Sequence, residues 1–187
     1  MAKSDFLPKR GNYRDLLIYQ KAECIYDITY YFAHHYLEKG DRTIDQMVQA
    51  ARSGKQNIVE GSAASTMSRE TELKLTQVAK ASLQELLVDY EDYLRVRGLV
   101  QWGLESEKMQ QTRTFCRAHS DSAVYRAAMP NRSAETIANI ALVLIHQTDV
   151  LIDKYIEDLK QDFLKNGGEF CIMEKCGNFA QQTNQVC

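Results

Sequence analysis

The chain has 187 residues, of which 44% are hydrophobic and 26% are charged, with only 2 prolines and 9 glycines. These values suit one globular domain in which long helices run largely uninterrupted. The formal net charge is −2, and residues 1–100 hold 14 basic and 14 acidic side chains. So balanced a chain lacks the global positive field that gives non-specific nucleic-acid affinity.

Hydrophobic spacing predicts three helices in the first hundred residues. Residues 1–13 contain little that could pack, and we expect a flexible N-terminal arm. Apolar residues then recur at steps of 3 and 4, which is one face of an α-helix. The predicted bounds are Asp15 to a stop at Gly40, Thr43–Gly61, and an N-cap at Ser68 to Gly98. Gly54 lies in a seam of small residues, so we expect another helix to approach closely there.

Residues 99–133 carry a weaker apolar stripe and are predicted to be a helical insertion. Within them we expect one short helix, from about Glu105 to Ala128, that Pro130 stops. A wide apolar stripe then predicts a last long helix from about Ser133 to Asn166–Gly168.

The predicted fold class is all-α. Four long amphipathic helices with short connections favour an antiparallel up-and-down four-helix bundle over residues 14–168, with an extra short helix inserted before the last long one. Residues 169–187 are predicted to be a mobile C-terminal tail. No alternating strand pattern competes with this interpretation.

The N-terminal residues are polar, and no apolar signal segment follows them. The longest apolar run, Ile140–Ile145, is far shorter than the roughly 18 residues of a membrane span. Five cysteines without an export signal indicate reduced thiols. We therefore expect a cytoplasmic protein that does not insert into membranes.

Five segments resemble a known family. They are Asp15–Ala22 (DLLIYQKA), Gln49–Ser53 (QAARS), Asn57–Ser62 (NIVEGS), Leu75–Leu86 (LTQVAKASLQEL) and Ala134–Ala141 (AETIANIA). The first four resemble the helix signatures of the 23S rRNA intervening-sequence proteins, a bacterial four-helix-bundle family. The last resembles the subgroup that carries a four helix bundle suffix domain.

The resemblance implies a short up-and-down bundle that assembles into a ring, typically a pentamer. Relatives include the accessory variability determinant of diversity-generating retroelements, which is basic and binds reverse transcriptase and nucleic acid. The chain departs from the family at three positions. Val48 and Gln49 replace two adjacent arginines, and Lys55 replaces a proline. These departures, and the missing basic character, argue against nucleic-acid binding.

Four basic residues could gather if the first two helices lie side by side: Arg14, Lys21, Arg52 and Lys55. A ring would repeat such a cluster and concentrate its field into a nucleic-acid site. The alternative, which we favour, is local neutralisation by nearby acids: Asp15, Asp45 and Glu60.

Tyr19, Tyr26 and Tyr30 step 7 and 4 along the first helix, on a different face from its apolar stripe. Tyrosine is enriched at interfaces because its ring buries area while its hydroxyl keeps a partner. The stripe therefore predicts a subunit interface. Internal packing against the insertion and stacking on nucleic-acid bases are the alternatives.

No catalytic, cofactor-binding or metal-binding residues are predicted. None of the four histidines follows a glutamate at the Glu-x-x-His spacing of di-iron bundles, and His146 is interpreted as a core histidine. Cys171 and Cys176 could form half a metal site, but free thiols are the better interpretation. The sequence thus predicts a non-catalytic, self-associating scaffold or adaptor. The alternative is an RNA- or DNA-binding accessory factor, similar to the retroelement accessory protein.

Overall fold

A computed structural model of the protein describes residues 12–165, of which 82% are helical, and no strand occurs in this part of the chain. Six α-helices follow one another: α1 (Leu17–Tyr36), α2 (Thr43–Ala64), α3 (Arg69–Val96), α4 (Glu107–Ala118), α5 (Ser122–Ala128) and α6 (Ala134–Lys165). Short 3-10 helices, Tyr13–Asp15 and Met129–Asn131, precede α1 and follow α5. The predicted all-α class is confirmed, whereas the predicted tail at 169–187 and most of the N-terminal arm lie outside the described residues.

Local signals fix both ends of α3 but not the start of α1. The Ser68 hydroxyl accepts a hydrogen bond from the Thr71 backbone N–H at 3.1 Å, which confirms the predicted N-cap of α3. Gly98 follows that helix with a φ of +63°, a conformation that favours glycine. Asp15 does not begin α1, because it closes the preceding 3-10 helix, and Leu16 stands at the N-cap without a side-chain hydrogen bond.

The four long helices share one apolar core. The packed pairs are α1 with α2, α2 with α3, α3 with α6, and α6 with α1. Each contributes fully buried side chains, including Ile25, Phe32, Met47, Ile58, Leu83, Leu86, Tyr90, Leu94, Ile137, Leu144 and Ile145. Burying one such side chain contributes about 1.5–3 kcal/mol, so the fold depends mainly on this core.

Helices α2 and α3 approach each other closely at Gly54, as the seam of small residues predicts. A Cβ built on Gly54 would lie 2.7 Å from Leu83 Cδ2 of α3. At the adjacent positions of the two helices, the hydroxyls of Ser53 and Ser82 lie 2.9 Å apart. The two helices can pack this tightly only because α2 has no side chain at position 54.

The insertion differs from its prediction. Instead of one helix over Glu105–Ala128, α4 and α5 are separated by a break at His119–Asp121. The Asp121 carboxylate accepts a hydrogen bond from the Ala123 N–H at 2.8 Å, so it caps a new helix. Pro130 lies in the 3-10 helix that follows α5, close to the predicted stop.

Helix α6 is the longest in the described chain. Its segment Ala134–Leu164 is long and apolar enough, by length and composition, to cross a membrane. In the folded protein, 56% of the most apolar 18-residue stretch of this helix is buried. The wide apolar stripe of the sequence corresponds to contacts on two sides, because α6 packs on both α1 and α3.

Candidate functional site

Lys21, one of the four predicted nucleic-acid contacts, is buried. Its ammonium donates hydrogen bonds to the backbone carbonyls of Cys116 and His119, the latter at 2.6 Å. These carbonyls lie at the end of α4, where a helix leaves acceptors unpaired and carries partial negative charge. Burial lowers the pKa of Lys21 from its usual value. The prediction of a four-residue surface cluster is therefore corrected, because Lys21 joins α1 to the insertion instead.

The other three basic residues lie on the surface but are not gathered at one point. Arg52 is exposed on α2, and Lys55 lies one turn further along the same helix. Arg14 lies in the first 3-10 helix, 5.3 Å from the centre of the Tyr13 ring. Within residues 12–165, no ion pair joins any of the three to an acid.

The three predicted interface tyrosines separate into two environments. Tyr19 is buried, lies 4.8 Å edge-on from the Tyr13 ring and donates a hydrogen bond to Glu23 at 2.9 Å. Burial, together with the Glu23 carboxylate, raises its pKa to about 12. The inclusion of Tyr19 in an exposed stripe is thus corrected, because the 3-10 helix before α1 folds over its ring.

Tyr26 and Tyr30 remain accessible. The Lys55 ammonium lies 4.2 Å from the centre of the Tyr26 ring, and Tyr30, half exposed, stacks on His34 at 4.2 Å. Tyr26, Tyr30, Arg52 and Lys55 form an aromatic and cationic surface that we call the α1–α2 face. Such a surface can take part in cation–π, stacking and apolar contacts.

A second exposed surface runs along α3, where Val78, Val88 and Val96 are all exposed and Glu85 and Asp92 lie between them. Steps of 7, 3, 4 and 4 from Val78 through these residues place them on one side of the helix. We call this apolar and acidic surface the α3 stripe. Asp92 pairs with Arg95 at 2.7 Å, so within the described residues Glu85 carries the unpaired negative charge of the stripe, which is opposite in sign to the charge of the α1–α2 face.

Cys24 and Cys116 are both buried beside Lys21. Burial raises the pKa of the Cys24 thiol to about 12 and that of Cys116 to about 11. Since the thiolate is the reactive form, these thiols are poor nucleophiles at neutral pH. We therefore interpret Cys24 as a packing residue.

An open groove of about 860 Å³ lies beside α4 and α6, and we call it the α4–α6 groove. The groove is lined by residues of the loop after α3, of α4, of α6 and of the first turns of α1. Its apolar lining residues include Trp102, Leu104, Met109, Leu142, Val143 and Val150. Its charged lining residues are Lys21, Arg113 and Arg117, and no aspartate or glutamate lines it.

The side chain of Asn139, buried on α6, fixes one wall of this groove. Its side-chain carbonyl oxygen accepts from the backbone N–H of Trp102 at 2.8 Å, and its side-chain amide donates to the backbone carbonyl of Val100 at 2.9 Å. On the other side, Gln147 donates to the Arg113 carbonyl at 3.0 Å and holds α4 on α6. The groove is thus held by side-chain to backbone bonds rather than by apolar packing alone.

Sequence reasoning missed this groove. Two signals were available: Trp102 is the only tryptophan, and Arg113 and Arg117 are spaced to share a helix face. His146 is exposed and lines the groove, which corrects its interpretation as a core histidine. No group of three or more potential metal-ligating side chains occurs in residues 12–165, and Cys171 and Cys176 lie outside that range.

No protein-family model, no curated protein sequence and no solved structure matches this chain.

Proposed function

We propose that the protein is a non-catalytic scaffold or adaptor of the cytoplasm, built as an antiparallel up-and-down four-helix bundle that self-associates into a ring, with a pentamer as the working stoichiometry. The resemblance to the 23S rRNA intervening-sequence proteins motivates the ring. We also propose that α6 does not span a membrane.

The antiparallel arrangement is supported by contacts at both ends of α3 and α6. At the start of α3, Arg69 lies 3.5 Å from Asp162, near the end of α6. Just beyond the end of α3, the Val100 N–H donates at 3.2 Å to Glu135, near the start of α6. Likewise, Tyr36 at the end of α1 donates to the carbonyl of Arg132, just before α6. The short connections after α1 and α2 favour the same alternation.

The observation that carries self-association is the pair of exposed, complementary surfaces on one chain. The α1–α2 face is aromatic and cationic, and the α3 stripe is apolar and acidic. When two different surfaces of one chain bind each other, the contact repeats from copy to copy, and it closes into a ring if the rotation allows. Exposed aromatic and apolar patches of this kind mark interaction sites.

We expect Tyr30→Glu on the α1–α2 face and Val88→Asp on the α3 stripe each to dissociate the assembly. Loss of a central interface side chain costs about 2 kcal/mol or more, which weakens association by about 30-fold or more. Light scattering on purified protein at micromolar concentration measures the mass, and circular dichroism checks that helix content is unchanged.

The matched control is Lys154→Glu, an exposed change on α6 away from both surfaces, which should leave the mass as it is. If the unchanged protein is a strict monomer at these concentrations, the ring is ruled out. Dissociation by Tyr30→Glu alone, with Val88→Asp still assembled, would instead indicate a symmetric contact through the α1–α2 face.

A second candidate function, nucleic-acid binding, is favoured by the position of Lys55 over the Tyr26 ring, with the exposed Arg52 one turn earlier on α2. Neither of these two basic side chains has an ion-pair partner in residues 12–165, and the Lys55 ammonium lies over the Tyr26 ring. Aromatic side chains next to cations are the usual platform for single strands. This function would use the same surface as the proposed interface.

If the second candidate is right, Arg52→Glu/Lys55→Glu should abolish binding of a labelled single-stranded RNA, measured by fluorescence anisotropy, while helix content stays intact. Binding should weaken steeply between about 50 and 200 mM salt, because each phosphate contact releases a counterion. Lys154→Glu again serves as the control. Affinity that does not change across the salt series would contradict the electrostatic site.

A further inference from the structure

The charge of the α4–α6 groove differs from that of the rest of the chain. The protein carries two more acidic than basic residues, yet the sixteen residues that line the groove include two arginines and no acid. Outside the groove, Arg69, Arg95 and Arg126 each pair with a carboxylate, whereas Arg14 and Arg52 do not in the part of the chain that the structure describes. Arg113 and Arg117 lie one turn apart on α4, and neither forms an ion pair within residues 12–165. The groove therefore presents two guanidinium groups that could bind an anion.

The remainder of the groove is apolar and open. Leu142 and Val143 of α6 line it, and the lining residues Leu104 and Val150 are 67% and 69% exposed. Large apolar side chains this exposed around a concave surface are typical of binding sites. A ligand that covered them would gain apolar contact along its body while its charged end reached α4.

The two arginines determine the chemistry of the charged end of a ligand. A carboxylate accepts charge-assisted hydrogen bonds from a guanidinium. Trp102 contributes apolar ring surface to the lining of the groove rather than a hydrogen bond, because its indole Nε1 is buried and out of reach of a ligand in the groove.

We propose that the α4–α6 groove binds a small amphipathic carboxylate with an extended apolar body, of the fatty-acid class. The apolar chain lies against Leu142, Val143 and Val150, and the carboxylate is bound by Arg113 and Arg117. The volume of about 860 Å³ is within the usual range for small-molecule sites, roughly 300–1,000 Å³. This site does not depend on self-association, because it uses neither the α1–α2 face nor the α3 stripe.

The test uses Trp102 as the reporter, since it is the only tryptophan in the protein and lines the groove. Sodium dodecanoate, kept monomeric, is titrated into the full-length protein, and tryptophan emission is recorded. We expect a saturable change at one carboxylate per chain. Dodecanol, which lacks the charge, and acetate, which lacks the chain, should bind far more weakly or not at all. Far-ultraviolet circular dichroism should stay constant throughout, which excludes unfolding by the amphiphile.

Two variants locate the site. Arg113→Gln/Arg117→Gln should weaken dodecanoate binding by about 10- to 100-fold, the effect of losing charge-assisted hydrogen bonds. Val150→Asp should weaken it by introducing a charge beside the apolar chain. Arg52→Gln, an exposed arginine outside the groove, is the matched control and should bind as the unchanged protein does.

Each of three results would overturn the proposal: no saturable change with dodecanoate, equal affinity for dodecanol, or an arginine double variant that binds normally. Saturation by an acidic amphipathic peptide, with no effect of dodecanoate, would reassign the groove to a protein partner.

Discussion

Replacing Lys21 with methionine is expected to destabilise the protein by about 2–4 kcal/mol, because it leaves buried acceptors at the end of α4 unpaired. The Lys21 ammonium donates to the Cys116 and His119 carbonyls, and the residue is only 2% exposed. Methionine retains most of the side-chain volume but cannot donate. The Cys116 carbonyl then has no intrahelical partner either, since α4 ends two residues later.

Urea unfolding followed by circular dichroism measures this change. Lys74→Met, an exposed lysine whose ion pair with Glu70 spans one helical turn, is the control and should cost at most about 0.5 kcal/mol. Amide hydrogen exchange should also accelerate in α4 before it does in α2 and α3, because Lys21 joins α1 to the insertion. An unfolding midpoint equal to that of the unchanged protein would show that water or another donor replaces the ammonium.

The second large effect is expected at Gly54. Gly54→Ala gains up to about 1 kcal/mol of helix propensity, but its Cβ would lie 2.7 Å from Leu83 Cδ2 and 2.9 Å from Leu83 Cγ. Leu83 is fully buried and cannot move aside freely. Overpacking of this kind costs about 1–3 kcal/mol, so we expect net destabilisation with alanine and about 3 kcal/mol with valine.

Thermal or urea unfolding of these single variants and of one double variant checks this prediction. The Cβ of Gly61→Ala would lie 3.3 Å from the backbone carbonyl oxygen of Glu72, which is a milder contact. Gly61→Ala should therefore lower the free energy of unfolding less than Gly54→Ala does. A double variant, Gly54→Ala with Leu83→Ala, should lose less stability than the two single changes added together, because the new methyl fills part of the cavity. Additive losses would mean that the two side chains do not compete for the same space.

Features of the fold that depend on local signals could be predicted from the sequence. An apolar stripe with helical spacing follows Ser68, and Gly98 follows the last turn of that helix. Both ends of α3 could therefore be predicted. The close approach at Gly54 was also predictable, since small residues at steps of 3 and 4 define a helix face. These features involve residues within a few turns of each other.

Features that depend on distant contacts could not be predicted. The break between α4 and α5 is stabilised by Lys21, which lies 98 residues before His119. Tyr19 appeared to be part of an exposed stripe because nothing in the sequence indicates that Tyr13 folds back onto its ring. The α4–α6 groove combines residues from α1, the loop after α3, α4 and α6, and only their juxtaposition gives it a common charge.

The order of the helices along the chain has a consequence for synthesis. Only four residues connect α2 to α3, and contacts such as Ser53 with Ser82 span 29 positions, whereas Tyr36 meets Arg132 across 96. Because the entropic cost of closing a loop grows with its length, we expect the α2–α3 hairpin to assemble first. During synthesis on the ribosome, the apolar surface of α3 that packs on α6 therefore stays exposed until α6 has been translated.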